Sequence, residues 1–506
     1  MSAAEASHPL HLMMPRLGTE EEFEAVRRLF GECDYHGEGV FRRLGIPGIE
    51  GFKTIRQGRQ TLLEPQSALD ALIHLFLDGE QLEEGNARSL LPEGALEALG
   101  ALNLAAPNPD GSGNWFAPVL IFPGFGLLMA SDRSTAPYRE AGYKLPTDVV
   151  YPAVIENTRD FIAALPEIPC EAALDLGTGS GIAALLAASR YAKRAWGSDI
   201  TARATQFAEF NRRLNSISNA EFVEGDMYAP VEGLSFDRIV THPPYVPAAS
   251  TKLIYRDGGD DGEQILRRAI EGLPQFLRPG GRFYAVVMAA DCEGETLEER
   301  IRKWLGASQD QFDLVLIAHS LRDPATFLSN FAGKSVLSEE EQRYREELWK
   351  RRKVQFLFYG RILLRRRAEE RPVITARVLR GKGMTMQHVE WLLEWEIAAR
   401  NPAKLGWLLG LRPAISPASR LLIVHDVVDG RFQPTGAALQ CPGPFESECQ
   451  MEPWVASVVS ECDGQRTLQD HFEQARQNGF LAADADAGGF AATLVTLIST
   501  GILIFS

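Results

Sequence analysis

The sequence predicts an α/β fold in which a doubly wound parallel sheet is flanked by smaller domains at both ends of the chain. The central observation is residues 171–189, where a short apolar segment passes through a glycine-rich turn into an alanine- and leucine-rich segment. This order is typical of a strand, a tight turn and a helix. Three further segments, at 195–199, 221–223 and 237–240, are predicted to be strands. A chain of 506 residues with 45% hydrophobic content is too long for one core, so we expect several domains.

The glycine-rich turn is predicted to lie against a ligand. Gly177, Gly179 and Gly181 alternate there with Thr178 and Ser180. Glycine reaches backbone angles that are closed to other residues, and it lets a bulky ligand lie against bare main chain. The helix that follows presents free N–H groups at its start, which makes the turn a binding edge. The turn alone does not specify the ligand.

Acidic residues end or follow the predicted strands. Asp175 immediately precedes the turn, and Asp199 ends the second strand at the spacing of a carboxylate that holds both ribose hydroxyls. Asp226 follows the third strand, where it could accept a hydrogen bond from an adenine amine. Together with the G-x-G-x-G turn, this order resembles motif I and the strands after it in the class I S-adenosylmethionine-dependent methyltransferases.

The resemblance implies a seven-stranded Rossmann-like core that binds S-adenosyl-L-methionine at the carboxyl edge of its sheet. Residues 141–152 resemble the segment that folds over the cofactor in the glutamine and adenine N-methyltransferases, although Thr147 and Asp148 are also candidate N-caps of a helix. No metal site is expected. The resemblance assigns these residues to the cofactor: Thr147, Tyr151, Asp175, Gly177, Thr178, Gly179, Gly181, Asp199, Ile200, Asp226, Met227 and His242.

The fourth strand ends in a motif that indicates the chemistry, Thr241-His242-Pro243-Pro244-Tyr245. Two prolines fix the backbone and remove N–H groups, which leaves the carbonyl of Pro243 to accept from an NH2 group, while Tyr245 can stack on a planar substrate. The motif resembles the Asn-Pro-Pro-Tyr of the release-factor glutamine methyltransferases and the methyltransferase small group. Here His242 stands in place of the asparagine that holds the amide in that family.

The exchange changes what the motif can bind. Asparagine offers a donor and an acceptor together, whereas a neutral histidine offers one of each on opposite ring edges and can also take a proton. We predict that His242 and Tyr245 are catalytic and that Pro243 and Pro244 contact the substrate. His242 could instead only donate to the backbone or to the carboxylate of the cofactor.

A glycine-rich turn at 258–262 precedes the predicted helix of residues 265–277, as in the glutamine methyltransferases. Arg256 and Asp257, just before it, are predicted to bind the substrate, although both could simply brace the loop.

Three hypotheses about the substrate remain open. Methyl transfer to a nitrogen or oxygen of a small molecule is favoured over a macromolecular partner by His242, by the acidic charge and by terminal domains that could enclose a pocket. The first alternative is N-methylation of a protein glutamine or of a nucleobase amine. The second alternative is a non-catalytic scaffold that binds the cofactor without turnover.

We expect three domains: residues 1–135, 136–370 and 371–506, with the methyltransferase in the middle. The first opens with a capping box from Thr19 to Glu22 and contains helices and a hairpin, 115–122 and 125–130, joined by Pro123-Gly124. This set resembles a winged helix. The last domain is expected to be α+β and to end in a second winged-helix-like module that starts at Glu452.

Charge and composition restrict the partners and the location. A net charge of −15 argues against a nucleic-acid groove, and the six cysteines show no metal-ligand pairing. The N-terminus lacks the pattern of an export signal, and the apolar segment 490–505 is short and interrupted by polar residues, which argues against a membrane anchor. We therefore expect a cytoplasmic protein. The sequence does not indicate an oligomeric state.

Overall fold

The computed structural model describes residues 14–48, 51, 64–108, 111–133, 146–329, 338–451, 453–482 and 484–505. These residues form two compact units, Met1–Ala285 and Val286–Ser506. Part of the predicted cofactor segment, residues 141–145, and the predicted start of the last module, Glu452, lie outside the described residues.

The first unit contains a parallel sheet of strands β1 to β5, in the order β5-β4-β1-β2-β3. The order reverses between β1 and β4, and such a switch point opens a crevice at the carboxyl ends of the strands. This confirms the predicted α/β Rossmann-like core, while the count of seven strands stays a prediction. The bounds are β1 Cys170–Leu176, β2 Ala192–Asp199, β3 Ala220–Glu224, β4 Phe236–Thr241 and β5 Leu277–Cys292, whose residues up to Ala285 belong to this unit.

Registers bring the predicted site residues to one edge of this sheet. Asp175 of β1 lies opposite Val240 of β4, two residues before His242, and Asp199 ends β2. Carboxyl ends of parallel strands share one edge, so the acidic residues and the proline motif meet there. The helices of this part are Glu156–Ile162, Ile182–Arg190, Ala202–Leu214, Gln264–Glu271 and Leu273–Phe276, with a 3₁₀ turn at Ala229–Val231.

The N-terminal part of the first unit is mainly helical. Its capping box is confirmed: Thr19 accepts from the N–H of Glu22, and the Glu22 side chain returns to the N–H of Thr19. Its α-helices are Glu20–Glu32, Gly37–Leu44, Ala68–Leu72, Glu84–Leu90 and Ala95–Ala101. A π-helix, Ile73–Asp78, continues directly from Ala68–Leu72. Short strands Leu82–Glu83, Asn114–Phe116 and Ala106–Pro107 form a three-stranded sheet in that order. The winged-helix resemblance stays a prediction.

The predicted hairpin is present, but its turn was predicted wrongly. The strands are Val119–Gly124 and Leu127–Asp132, so the turn is Phe125-Gly126 rather than Pro123-Gly124. Phe125 and Gly126 have φ values of 58° and 82°. Positive φ at both central residues matches the twist of a two-residue hairpin, which the fixed negative φ of proline cannot do.

Two asparagines, one on the helix Ala202–Leu214 and one at its C-terminal end, tie this hairpin to that helix. The amide of Asn211 donates to the carbonyls of Ala130 and Ser180, both at 2.9 Å, and its oxygen accepts from the N–H of Ala130 at 2.7 Å. Asn215 makes the same pair of bonds with the backbone of Leu128, both at 2.8 Å. The two side chains pair with the hairpin strand as a β-strand would. Since Ser180 lies in the glycine-rich turn, Asn211 also connects the hairpin to that turn.

A buried ion pair anchors the chain on the other side of the hairpin. Arg203 and Asp132 are 8% and 3% exposed, and Arg203 Nε donates to Asp132 Oδ2 at 2.8 Å. The N–H of Val150 donates to the same oxygen at 2.8 Å, and the Val150 carbonyl accepts from the N–H of Asp132 at 3.1 Å. The segment around Val150 is therefore held against the end of the hairpin.

The strands of the second unit pair in both directions. Strand β6 (Phe312–Arg322) pairs antiparallel with β7 (Val354–Arg366) and parallel with β8 (Thr375–Arg380). The next strands in the sheet after β8 are β11 (Phe445–Gln450), β10 (Arg431–Cys441) and β9 (Arg420–Val428), and each is antiparallel to its neighbour. A separate pair joins Pro413–Ile415 to Leu503–Phe505.

The helices of the second unit are mostly short. Within the part of the chain that the structure describes, none is long and apolar enough to cross a membrane. They are Leu297–Leu305, Pro324–Ser329, Glu339–Arg351, Met386–Ala399, Leu405–Leu409, Pro453–Ser460, Leu468–Gln477 and Ala487–Ser499, with 3₁₀ turns at Gly306–Gln311 and Pro402–Lys404.

We predict that Asn211→Ala lowers the free energy of unfolding by about 3 kcal/mol, because it leaves buried backbone groups of Ala130 and Ser180 without a partner. Asn215→Ala is the matched control: Asn215 is only partly buried, so water can replace its bonds and the loss should be about 1 kcal/mol. Denaturant unfolding of the full chain measures both. An Asn211→Ala loss no larger than that of the control would contradict the proposed anchoring role.

Candidate active site

A cavity of about 610 Å³ lies at the carboxyl ends of β1, β2 and β4. Its lining includes every site residue predicted from the sequence except Thr147 and Gly181. It also includes residues that were not predicted, among them Asn157, Phe161 and Arg268. The carboxyl edge at a switch point is the usual place of a ligand in such a fold.

The glycines of the turn do two different things. Gly177 and Gly179 have φ values of 68° and 54°, and an added Cβ at either would meet no atom within 4 Å, so open space lies beside them. At Gly181, with φ 87°, a Cβ would lie 2.9 Å from Ala208 and 3.0 Å from Phe222. Gly181 therefore permits close packing of the turn, while the first two glycines border the cavity.

Asp175 is buried at the end of β1. The hydroxyl of Thr178 donates to Asp175 Oδ2 at 2.7 Å. Burial raises the pKa of Asp175 to about 7, because the bond from Thr178 only partly offsets the loss of solvation. A carboxyl with this pKa ionises readily when a cation is placed beside it.

Asp199 is held by the turn. Its Oδ2 accepts from the N–H of Gly179 at 3.0 Å, and its Oδ1 accepts from the N–H and the hydroxyl of Thr201, both at 3.1 Å. Burial raises the pKa of Asp199, and these hydrogen bonds oppose the rise. Next to it, the apolar side chain of Ile200 is 56% exposed and lines the cavity.

Asp226 forms an ion pair that the sequence did not indicate. Arg268, on the helix Gln264–Glu271, donates to Asp226 Oδ2 at 2.7 Å. The neighbouring Met227 has a φ of 54°, and its carbonyl accepts from the hydroxyl of Ser198 at 3.0 Å. The turn after β3 is thus fixed to β2 on one side and to a helix on the other.

His242 is set in an aromatic environment. Its ring stacks on Phe161 with a centroid distance of 5.4 Å and an interplanar angle of 22°, and the Tyr245 ring lies 5.9 Å away. Among the described residues, its buried Nε2 has no hydrogen-bond partner. Burial lowers the pKa of His242 to about 4, so the imidazole is neutral near pH 7. It is a hydrogen-bonding group there and a weak base.

Tyr245 is oriented by Asn157, a residue that was not predicted from the sequence. Asn157 Nδ2 donates to the Tyr245 hydroxyl at 3.1 Å. Asn157 and Phe161 are four residues apart on the helix Glu156–Ile162, so one face of that helix contacts both Tyr245 and His242. Helical spacing of these two residues was the signal that could have found them.

Arg256 and Asp257 brace the loop that carries them. Asp257 accepts from Arg256 Nε at 2.7 Å and from the N–H groups of Lys252 and Leu253 at 2.7 and 3.0 Å. Burial alone would raise the pKa of Asp257, but these hydrogen bonds lower it. The carboxylate is used within the loop, although both residues also line the cavity.

The same loop contacts the segment before the first helix. Tyr151 stacks on Tyr255 at 4.6 Å with an angle of 19°, and the carbonyl of Thr147 accepts from the N–H of Ile254 at 2.9 Å. Burial raises the pKa of Tyr151 to about 12, so its hydroxyl stays protonated. Thr147 thus acts here through its backbone, outside the cavity lining.

The chain is similar to known methyltransferases. Residues 154–313 match the family model described as the methyltransferase small domain. A protein from Methanocaldococcus jannaschii, named as a protein N5-glutamine methyltransferase with the assignment marked provisional, is 33% identical over 159 residues, 30% of this chain and 80% of that protein.

Two further relatives are covered over about half their length. A release factor glutamine methyltransferase from Moorella thermoacetica is 33% identical over 31% of this chain and 56% of its own length. A ribosomal protein uL3 glutamine methyltransferase from Bradyrhizobium diazoefficiens is 31% identical over 29% of this chain and 50% of its own length.

These relatives overturn one expectation. The prediction that a small molecule is the favoured partner is wrong, because the names of these relatives describe enzymes that act on glutamine in proteins. Two of the three arguments for a small molecule were weak in physical terms. Net charge is a property of the whole chain and not of the cavity, and burial keeps His242 neutral, so its capacity to take a proton does not favour a small molecule.

The fold of the first unit, the cavity at its switch point and these similarities agree with one another. The chain belongs to the class I S-adenosylmethionine-dependent methyltransferases of the methyltransferase small group, and it is an enzyme that uses S-adenosyl-L-methionine.

Proposed function

We propose that this enzyme methylates the side-chain amide nitrogen of a glutamine in a protein. The observation that carries the proposal is the buried Nε2 of His242, which has no partner among the described residues and sits where the related family has its amide-binding asparagine. The names of the relatives support the choice of glutamine and of a protein.

The lining of the cavity fits S-adenosylmethionine. The open space beside Gly177 and Gly179 admits a bulky group against the main chain, and Asp175 would face its ammonium. Asp199 would hold the ribose hydroxyls, Ile200 would cover the adenine ring, and Asp226 would accept from the adenine amine. When bound, the cofactor supplies a methyl group that its sulfonium already activates.

The remaining task of the protein is to position the amide nitrogen in line with that methyl group. A primary amide nitrogen carries two N–H groups. Two acceptors, the Pro243 carbonyl and His242 Nε2 in the tautomer that carries its proton on Nδ1, would hold both. Tyr245, oriented by Asn157, would contact the planar amide. The imidazole nitrogen would thus replace the oxygen of the family's asparagine as a hydrogen-bond acceptor, but it would not replace the N–H donor of that asparagine.

We predict that His242→Asn keeps protein methylation within roughly tenfold of the natural enzyme, while His242→Ala lowers kcat roughly a hundredfold, because only asparagine restores an acceptor for the amide N–H. Methyl-labelled S-adenosylmethionine and a protein fraction of the host extract provide the assay. Mass spectrometry should then find the added methyl group on a glutamine.

Two controls make this experiment decisive. S-adenosylhomocysteine should bind both variants with nearly unchanged affinity, which separates loss of positioning from loss of folding. Label that resists protease and is lost to nuclease would instead favour a nucleobase amine and overturn the glutamine assignment.

We predict that S-adenosylhomocysteine binds roughly tenfold more weakly at pH 6 than at pH 8, because Asp175, with a pKa of about 7 in the free protein, must ionise to meet the ligand ammonium. The raised pKa means that binding below pH 7 releases a proton. Calorimetry in buffers of different ionisation enthalpy measures that release. The control Asp175→Asn should bind weakly with no pH dependence, and a wild-type affinity that is flat from pH 6 to 8 would contradict the role.

We predict that Asp226→Ala weakens S-adenosylhomocysteine binding roughly tenfold and leaves S-inosylhomocysteine unchanged, because the inosine analogue lacks the amine that Asp226 would accept from. Arg268→Gln should show the same pattern with a smaller loss, since Arg268 orients the carboxylate. Competition against labelled cofactor gives both affinities. An equal loss for both ligands would assign Asp226 a structural role only.

A further inference from the structure

The second unit carries an exposed strand, β9, that is mostly apolar. All nine residues of β9 are exposed to solvent. Leu421 and Ile423 alternate with Leu422 and Val424 along the strand, and these four side chains are 54%, 56%, 37% and 51% exposed. Val427, which follows an irregularity of the pairing with β10 between Val424 and His425, is 65% exposed. Solvated strands normally alternate apolar and polar residues, so a strand of this composition is expected to be covered.

The outer edge of β9 is open as well. Among the strands that the structure describes, β9 is the last in its sheet and pairs only with β10. Edge strands are usually blocked by lysine, proline or inward charges, because free N–H and C=O groups recruit another strand. The nine residues of β9 contain neither lysine nor proline and carry two formal charges, Arg420 and Asp426.

We propose that β9 pairs antiparallel with β9 of a second copy of this chain, around a twofold axis at Ile423. In this register Arg420 lies opposite Asp426 of the other copy, and the symmetry forms that ion pair twice. Leu422 lies opposite Val424, and Ile423 lies opposite itself. Leu421 lies opposite His425, while the other pairs within the strand match an apolar side chain with an apolar one and a charge with its opposite.

The charges select both the occupant and the register. Moving the axis to Val424 sets Asp426 against Leu422, and moving it to His425 sets Asp426 against Val424. Either shift leaves Arg420 without its acidic partner. The Asp426 carboxylate is already oriented, since Thr435 of the adjacent strand donates to its Oδ2 at 2.8 Å. A strand that complements itself in one register fits a second copy, because a C2 contact uses the same patch twice.

Sedimentation equilibrium of the full chain tests the proposal. Wild type should be a dimer, Ile423→Lys should be a monomer, and Val427→Lys should remain a dimer. Both changed residues are exposed, so neither is expected to disturb folding, and unchanged S-adenosylhomocysteine binding verifies this. A wild-type monomer at every concentration overturns the proposal, as does a dimer that survives Ile423→Lys.

Cross-linking and charge exchange test the register. Ile423→Cys should form an intermolecular disulfide under mild oxidation, because residues on the axis approach within about 5.5 Å between Cα atoms. Val427→Cys should not, because the two copies of that residue lie eight positions apart, about 27 Å along the strand. Wild type controls for the six natural cysteines.

Arg420→Asp and Asp426→Arg should each raise the dimer dissociation constant roughly tenfold, and the double exchange should restore it, because the double variant recreates both ion pairs. Equal cross-linking at positions 423 and 427, or no rescue by the double exchange, overturns this register.

Discussion

The first unit depends on the buried amide of Asn211. This side chain completes the backbone hydrogen bonds of the hairpin at Ala130 and at the same time holds the carbonyl of Ser180 in the glycine-rich turn. A buried amide costs free energy unless all its groups are bonded, so its three bonds fix the distance between hairpin and turn. The turn therefore takes its shape from the N-terminal part of the chain as well as from its own glycines.

The active site is organised around groups that are neutral or easily neutralised. Asp175 has a pKa near neutrality, His242 stays uncharged, and Tyr151 keeps its proton, in each case because burial disfavours the charged form. Such a site suits a reaction whose charge is brought by the ligand, because a cationic sulfonium would meet Asp175, which can ionise, and a neutral His242. The proposed amide substrate would also need positioning more than it needs acid or base.

Most of the residues that the sequence assigned to the cofactor line the cavity, because they lie close together along the chain or directly after a predicted strand. Asp175 and the three glycines lie within one strand, turn and helix, and Asp199 and Asp226 each follow a strand that the apolar pattern marks. Phe161 and Arg268 were not predicted. They project from helices whose patterns mark a buried face without indicating which cavity it borders, and only the packing of the fold brings them to His242 and Asp226.

The wrong predictions concern features that depend on the long-range structure of the chain and not on its local sequence. The hairpin was predicted, but its turn was placed at Pro123-Gly124 because proline and glycine are common in turns. The positive φ of Phe125 is imposed by the twist of the strands and not by residue preference. The favoured kind of partner was misjudged partly from net charge, which averages over the whole chain. The histidine exchange was noticed in the sequence, yet its protonation state required the burial that the fold produces.

The bracing of the loop around Asp257 has a consequence for how a large substrate docks. Asp257 fixes the backbone at Lys252 and Leu253, and the N–H groups of Gly258 and Ala248 add bonds to Val246 and Gly259. The conformational entropy of this rim is therefore lost on folding and not when a substrate arrives. A protein substrate of the kind proposed above would meet a prepared edge, and the ordering that accompanies recognition would fall on the substrate.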